Sequence, residues 1–194
     1  MATTSRMTLE EFLKLPETKP YSEFVDGEVI QKPMPTLEHG IVQSLLSLVI
    51  GTFLRAHPIG IGGSEVRCII GPQGREASRL PDYMVVLWER LRGRRGPGPF
   101  HGAPDLAVEV MSPDDRWVDV MAKVELYLMY GARLVWVINP EARTVMVFDS
   151  PTRSRILHEQ DEINGGEVLP GFSVAVREIL PPVNLLAGED AERP

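Results

Sequence analysis

Long amphipathic segments and short apolar runs alternate along the chain. Apolar residues recur every three or four positions over 37–55, which predicts a long amphipathic helix. A second helix is predicted over 116–130, where Gly131 supplies a suitable end. Short runs rich in aliphatic and aromatic residues predict strands. These runs are 65–70, 83–88, 105–111, 134–138 and 144–148.

Shorter elements are predicted near the two ends of the chain. Thr8 and Glu11 fit a capping box, which predicts a short helix that Pro16 ends. The Asp26-Gly27 pair predicts the turn of a β-hairpin between 21–25 and 28–30. Further short strands are expected within 155–168, and a last helical turn at 176–180.

Length and composition limit the domain count. With 194 residues, of which 43% are hydrophobic, the chain can bury one sizeable core, and no composition break marks a second unit. We therefore expect a single domain over 7–182 and a flexible, acidic C-terminal tail over 183–194.

The sequence favours a cytoplasmic protein. Cys68, the single cysteine, cannot form an internal disulfide, and its apolar neighbours predict a buried, inert thiol. The first residues lack the apolar core of a signal peptide, and polar residues interrupt the apolar helix over 37–55. Neither secretion nor membrane insertion is expected.

The net charge of -7 argues against a protein that binds nucleic acid over its whole surface, because lysine and arginine contacts supply most of the affinity for phosphate groups. A local basic patch remains possible within the Gly- and Pro-rich segment 89–102. A solvated, mobile loop is the more ordinary interpretation of such a segment. The basic residues that could contact a phosphate backbone are Arg90, Arg92, Arg94 and Arg95.

Three acids stand at predicted strands. Asp82 precedes an apolar strand, and Glu109 is the only charged residue within 106–111. Asp105 and Glu109 share a strand face but lie about 13 Å apart at ~3.3 Å per residue, so they cannot bind one ion together. Asp82 with Glu109 matches the needs of Mg²⁺, which binds one or two carboxylates plus water and substrate oxygens. The four histidines show no zinc-ligand spacing.

Lys123 lies between apolar residues on the second predicted helix. Asp119, Lys123 and Tyr127 recur at every fourth position and share one helix face. An Asp119–Lys123 surface ion pair is one interpretation. The alternative is that Lys123 projects towards the strand that carries Glu109.

Five short motifs follow one another along the chain. They are EFVDGE (23–28), LPD (80–82), PDLAVEVMSP (104–113), Lys123 with Tyr127, and VWVINP (135–140). In this order they resemble the Uma-two family, which is described as restriction endonucleases of the PD-(D/E)XK superfamily, over about 9–180. The resemblance implies an α/β (α+β) fold, in which a restriction-endonuclease-like mixed sheet is flanked by helices and joined by additional antiparallel β-hairpins.

The resemblance also assigns roles. Asp82 becomes the first metal-binding carboxylate and Glu109 the second. The superfamily's usual lysine lies two residues after the second acid, where this chain has Met111, so Lys123 would be a displaced lysine that reaches the site from its helix. Related nucleases also suggest Glu23 as a further metal ligand, although a place on the solvent face of the hairpin is an equal alternative.

Two residues receive supporting roles. Tyr127 either orients Lys123 or packs beside it. Asp105 is a weaker candidate for metal binding than Asp82 or Glu109, because an aspartate at the start of a strand can have a structural role there.

The resulting hypothesis is an endonuclease that uses Mg²⁺, or Mn²⁺, to hydrolyse phosphodiester bonds of nucleic acid, with DNA preferred and RNA left open. The alternative is a catalytically weak nuclease-fold protein that acts as a binding or regulatory module. A metal-free acid/base hydrolase is a distant third. Apolar residues on the hairpins after Trp136 suggest a homodimer.

Overall fold

The protein is described by a computed structural model that covers residues 6–93 and 96–183. Its helices are α1 (Leu9–Phe12), α2 (Leu37–Ala56), α3 (Trp88–Leu91) and α4 (Trp117–Met129), with a 3-10 turn at Val176–Ile179. Its strands are β1 (Ser22–Val25), β2 (Glu28–Gln31), β3 (Gly60–Gly63), β4 (Cys68–Ile70), β5 (Ala77–Arg79), β6 (Tyr83–Leu87), β7 (Phe100–His101), β8 (Leu106–Val110), β9 (Leu134–Asn139), β10 (Thr144–Ser150), β11 (Arg153–His158), β12 (Glu162–Gly165) and β13 (Leu169–Ala175).

A six-stranded mixed sheet forms the centre, in the order β11-β10-β9-β8-β6-β3. β8 and β9 are parallel, and the other neighbours in this sheet are antiparallel. A five-stranded sheet follows the order β2-β1-β5-β4-β7, and β12 pairs with β13. The expected mixed sheet with flanking helices and additional hairpins is confirmed.

The two long helices cover opposite faces of the central sheet. From α2, the fully buried Val42, Leu46 and Ile50 share one core with Val108 of β8. α4 belongs to the other core, which contains Ala107. Successive residues of a strand point to opposite faces, so Glu109 lies on the α4 side. The central sheet therefore presents Glu109 directly to α4.

α2 is the one helix, within the ranges given above, that is long and apolar enough to cross a membrane by length and composition; it has 20 residues and a mean hydropathy of 1.4. Core helices of globular proteins pass the same test. Here Val42, Leu46, Ile50 and Leu54 pack against the central sheet and the elements that follow it.

Most predicted elements occur within a few residues of their expected bounds. The capping box is present, with Thr8 accepting from the Glu11 amide and Glu11 accepting from the Thr8 amide. Asp26 and Gly27 both adopt positive φ, 50° and 84°, as a tight hairpin turn requires.

The segment 60–79 departs from expectation. The predicted strand over 65–70 forms only from Cys68, because Glu65 adopts a left-handed φ of 52°. β3 was not expected, since three of its four residues are glycine. Glycine is needed there because any side chain at Gly62 would collide with the Tyr83 hydroxyl. β5 was also not expected, and the predicted loop over 89–102 contains α3 and β7.

Candidate active site

Asp82 and Glu109 are neighbours across two strands of the central sheet. β6 pairs with β8 so that Tyr83 faces Val108, and one further step in this register sets Asp82 opposite Glu109. Residues opposite one another on paired antiparallel strands have Cβ atoms about 4.5–5.5 Å apart. Both acids are buried, with 2% and 4% exposure, and both line one cavity of about 220 Å³.

Two residues of α4 hold the Glu109 carboxylate. The Lys123 ammonium donates to Oε2 at 2.7 Å, and the Tyr127 hydroxyl donates to Oε1 at 2.7 Å. The helix thus turns Lys123 inward, and Asp119 instead contacts Arg116 at 3.9 Å. Burial, together with neighbouring carboxylates, raises the pKa of Glu109 above its ordinary value despite the attraction of Lys123.

Asp82 has a different set of partners. Its Oδ1 accepts from the Lys32 ammonium at 2.7 Å and lies 3.3 Å from Nε2 of His39. Its Oδ2 accepts from the Val110 amide at 2.7 Å, so the side chain is tied to β8. Burial alone would raise the pKa of Asp82, but Lys32 and His39 outweigh it and hold the pKa below the usual range. Asp82 is therefore a carboxylate at neutral pH.

Glu23 reaches the same region from β1. Its Oε2 accepts from Arg79 at 2.8 Å, its Oε1 accepts from the Leu80 amide at 2.9 Å, and Lys123 lies 4.0 Å away. With 2% exposure, Glu23 does not lie on the solvent face of its hairpin. Burial opposes ionisation, but Lys123 and Arg79 prevail and lower the pKa of Glu23.

The acids and bases of this cluster balance. Burial would lower the pKa of Lys123, but Glu109 and Glu23 overcome that effect and raise it. With every group ionised, three negative and three positive side chains sum to zero, which explains how so many charges stay buried together. They are Glu23, Asp82, Glu109, Lys32, Arg79 and Lys123.

The donor set fits a hard divalent cation. Asp82 and Glu109 place carboxylate oxygens at one cavity, and Mg²⁺ characteristically uses one or two carboxylates with water and substrate oxygens. Among the residues that the structure describes, no group of three or more His, Cys, Asp or Glu side chains is arranged to hold a metal. Two carboxylates suit an open magnesium site better than a closed zinc site.

Asp105 lies outside this cluster. Its Oδ2 accepts from the Leu87 amide at 2.9 Å, while Oδ1 receives Arg133 at 2.9 Å and lies 3.2 Å from Arg90. It precedes β8, whereas Glu109 stands near the other end of that strand, roughly 13 Å away at ~3.3 Å per residue. Asp105 thus ties loops and strand ends together.

The arginines of the segment 89–102 come after the C-terminal end of β6, whereas Asp82 precedes the N-terminal end of that strand. Arg90 donates to two backbone carbonyls and contacts Asp105, so its guanidinium is already engaged in the fold. Arg92 is exposed. The structure does not bring Arg90 or Arg92 to the acidic pair. Arg94 and Arg95 lie outside the described residues.

Three residues that contact the acids of the site were missed by the sequence analysis, namely His39, Lys32 and Arg79. His39 shares a helix face with Val42 and Leu46, so the pattern of α2 alone could have marked it as inward-facing. Lys32 and Arg79 gave no such signal. Their partners Asp82 and Glu23 lie 50 and 56 positions away in sequence, and only the tertiary fold joins them.

Comparisons with known proteins find a family and a solved structure that are similar to this chain. Residues 9–177 match a family described as "Uma2: Putative restriction endonuclease". A crystal structure from Anabaena variabilis, described as a putative nuclease belonging to DUF820, is similar with a TM-score of 0.79 and 30% sequence identity. The alignment covers 89% of this chain and 97% of that one. A search among curated proteins finds no match.

Proposed function

The chain belongs to the Uma2 family, and we propose that it is a Mg²⁺-dependent endonuclease that hydrolyses phosphodiester bonds of nucleic acid. One observation carries the proposal. Asp82 directly precedes β6, Glu109 lies on the adjacent strand β8, and both share a cavity with the ammonium group of Lys123. The nuclease fold alone would not distinguish catalysis from binding, because function depends on the site.

Each residue has a defined task in the proposed reaction. Asp82 and Glu109 would hold the divalent cation, Mg²⁺ or Mn²⁺, and the cation would supply Lewis acidity and lower the pKa of a bound water. Lys123 lines the cavity and stabilises negative charge on the attacking oxygen or the pentavalent phosphate. Tyr127 donates to Glu109 and fixes the direction of its carboxylate.

We place Glu23 beside the metal site and not among its ligands, because it does not line the cavity that Asp82 and Glu109 share. Glu23 accepts from Arg79 and the Leu80 amide, and Lys123 is 4.0 Å away. We assign it to positioning Lys123.

The remaining properties belong to the same proposal. DNA is the preferred substrate because the family is described as restriction endonucleases. A homodimer is supported by Ile156, which is 60% exposed on β11 at the edge of the central sheet. A cytoplasmic location is supported by the use of a single, buried cysteine.

Cleavage assays test the proposal directly. The purified protein is incubated with plasmid, linear and single-stranded DNA and with RNA, in Mg²⁺ or Mn²⁺ and in a chelator. We expect metal-dependent cleavage that Glu109→Ala and Lys123→Ala abolish. Lys14→Ala is the matched control, since that side chain is 71% exposed on α1's C-terminal side. Cleavage that survives both active-site substitutions would overturn the assignment.

A second candidate is a nuclease-fold binding module. It is favoured by the observation that Asp82 and Glu109 are each already paired with a lysine at 2.7 Å, which satisfies their charge without metal. Metal-independent binding of nucleic acid, with no cleavage of any substrate, would support this alternative over the enzyme.

A further inference from the structure

Lys32 spans two parts of the fold. It directly follows β2, yet its ammonium reaches the start of β6, where it donates to Asp82 Oδ1 at 2.7 Å and to the Leu80 carbonyl at 2.9 Å. Its side chain is only 11% exposed and lines the same cavity as Asp82, Glu109 and Lys123. The cavity therefore carries two ammonium groups beside two carboxylates.

The two oxygens of Asp82 are not equivalent. Oδ2 accepts from the Val110 amide and is fixed to β8. Oδ1 receives both Lys32 and His39, which line the cavity. Because the partners of Oδ1 line the cavity, we take Oδ1 as the oxygen that meets a divalent cation, which then shares Oδ1 with the Lys32 ammonium or takes its place.

We propose that Lys32 is an exchangeable placeholder for the metal, a positioning residue whose ammonium neutralises Asp82 until the divalent cation binds and then moves into the cavity to meet the substrate phosphate. The inference rests on the proposed function, since it assumes a cation at Asp82 and Glu109. Nothing in the sequence pattern had marked Lys32.

Charge explains why one lysine must move. The cluster of three acids and three bases is neutral, so an added divalent cation leaves two uncompensated positive charges in a buried place. Lys123 is held by Glu109 at 2.7 Å and has Glu23 4.0 Å away. Within the described ranges, Lys32 has one carboxylate within 4 Å, that of Asp82. Lys32 therefore gives up fewer carboxylate contacts than Lys123 when its ammonium moves away.

Side-chain chemistry points the same way. Lysine carries a compact charge on a flexible four-carbon stem, so its ammonium can shift without moving the backbone. Arg79, which holds Glu23 at 2.8 Å, has a planar guanidinium that favours a fixed arrangement. Of the three acid–base pairs in the cluster, Lys32–Asp82 is therefore the exchangeable one, whereas Arg79–Glu23 and Lys123–Glu109 stay in place.

The first test measures Mn²⁺ binding by calorimetry, without substrate. Lys32→Met is expected to bind Mn²⁺ about tenfold more tightly than wild type, because the competing charge is gone. Lys32→Arg should bind Mn²⁺ more weakly than wild type, because the planar guanidinium favours a fixed pair with Asp82. Exposed Lys14→Met is the control. Unchanged or weaker binding by Lys32→Met would overturn the inference.

The second test uses wild-type protein, so it does not depend on whether a variant folds. Brief acetylation followed by mass spectrometry measures the reactivity of Lys32 with and without Mn²⁺, with Lys14 as internal standard. We expect Lys32 labelling to rise severalfold when Mn²⁺ binds. This readout separates displacement from simple repulsion, and labelling that stays constant at saturating Mn²⁺ contradicts the inference.

The two hypotheses fail in different ways. If wild type binds Mn²⁺ and cleaves while Lys32 neither affects affinity nor changes reactivity, only the placeholder is wrong. If neither wild type nor Lys32→Met binds Mn²⁺, the metal-dependent function fails and the placeholder fails with it.

Discussion

Asp105 and Glu109, two acids at the same strand of the central sheet, are almost equally buried but have different hydrogen-bonding partners. Asp105 precedes β8 and is 1% exposed, and Glu109 lies within β8 and is 4% exposed. Asp105 is held by a backbone amide and by Arg90 and Arg133. Glu109 is held by Lys123 and Tyr127 at the wall of a cavity.

The difference shows what distinguishes a structural acid from a reactive one. Around Asp105, guanidinium groups and an amide occupy both oxygens and link three loops and strand ends. Around Glu109, the partners are an ammonium group and a hydroxyl, and a cavity adjoins the carboxylate. Burial alone would have ranked the two acids together. The chemistry of the partners and the adjacent cavity separate them.

Replacing Glu109 should produce the largest effect. Glu109→Gln keeps the shape but removes a charge that would hold the cation, so we expect cleavage to fall by about 10²–10³, or about 2.7–4 kcal/mol of transition-state stabilisation. The free energy of unfolding should fall, because Lys123 loses its nearest counter-charge, but by less than in Asp105→Asn, because burial and neighbouring carboxylates already disfavour the Glu109 charge. Single-turnover cleavage and urea unfolding measure the two quantities.

Asp105→Asn is the isosteric counterpart, with the next largest effect. It weakens contacts to Arg90, Arg133 and the Leu87 amide, so the free energy of unfolding should fall by about 2–3 kcal/mol. The folded fraction should cleave at nearly the wild-type rate. A variant of full stability that has lost cleavage would reverse the roles assigned to the two acids.

Local sequence signals recovered most of the fold. α1, α2, α4, the Asp26-Gly27 hairpin and β6, β8, β9 and β10 follow from capping, apolar periodicity and turn residues, since those signals act over a few positions. β3 was not predicted, because glycine is a weak strand former. Glycine is required at position 62 by a tertiary contact, the close approach of the Tyr83 hydroxyl. β5 is too short to show a period.

Parts of the site were also within reach of the sequence. Asp82, Glu109, Lys123 and Tyr127 do meet, and the resemblance to a nuclease family had singled them out. The direction of Lys123 could not be settled by helix pattern alone, because Asp119 offered an equally good partner at four residues. Lys32 was beyond prediction, since its partner is 50 residues away and no local pattern links them.

A smaller effect is expected from Tyr127→Phe. The change removes the hydroxyl that donates to Glu109 at 2.7 Å, so the carboxylate loses one of its two fixed partners. We expect cleavage to fall about tenfold, which corresponds to about 1.4 kcal/mol. Tyr83→Phe is the matched control, because Tyr83 is a buried tyrosine in the core on the other face of the sheet. Equal losses in both variants would mean that the effect is general destabilisation.

At Cys68 we expect no effect at all, because this thiol should stay unreactive in the folded protein. Burial, with the Glu109 charge, raises the pKa of this thiol to about 12. The thiolate is the reactive form, so the folded protein should resist iodoacetamide from pH 7 to 9, where an ordinary cysteine with a pKa of about 8.5 becomes reactive. Denatured protein provides the positive control. Glu109→Gln should remain equally resistant, because that variant keeps the core closed around Cys68. Rapid labelling of Glu109→Gln would show that Glu109 also holds the fold together, and the contrast with Asp105 would then fail.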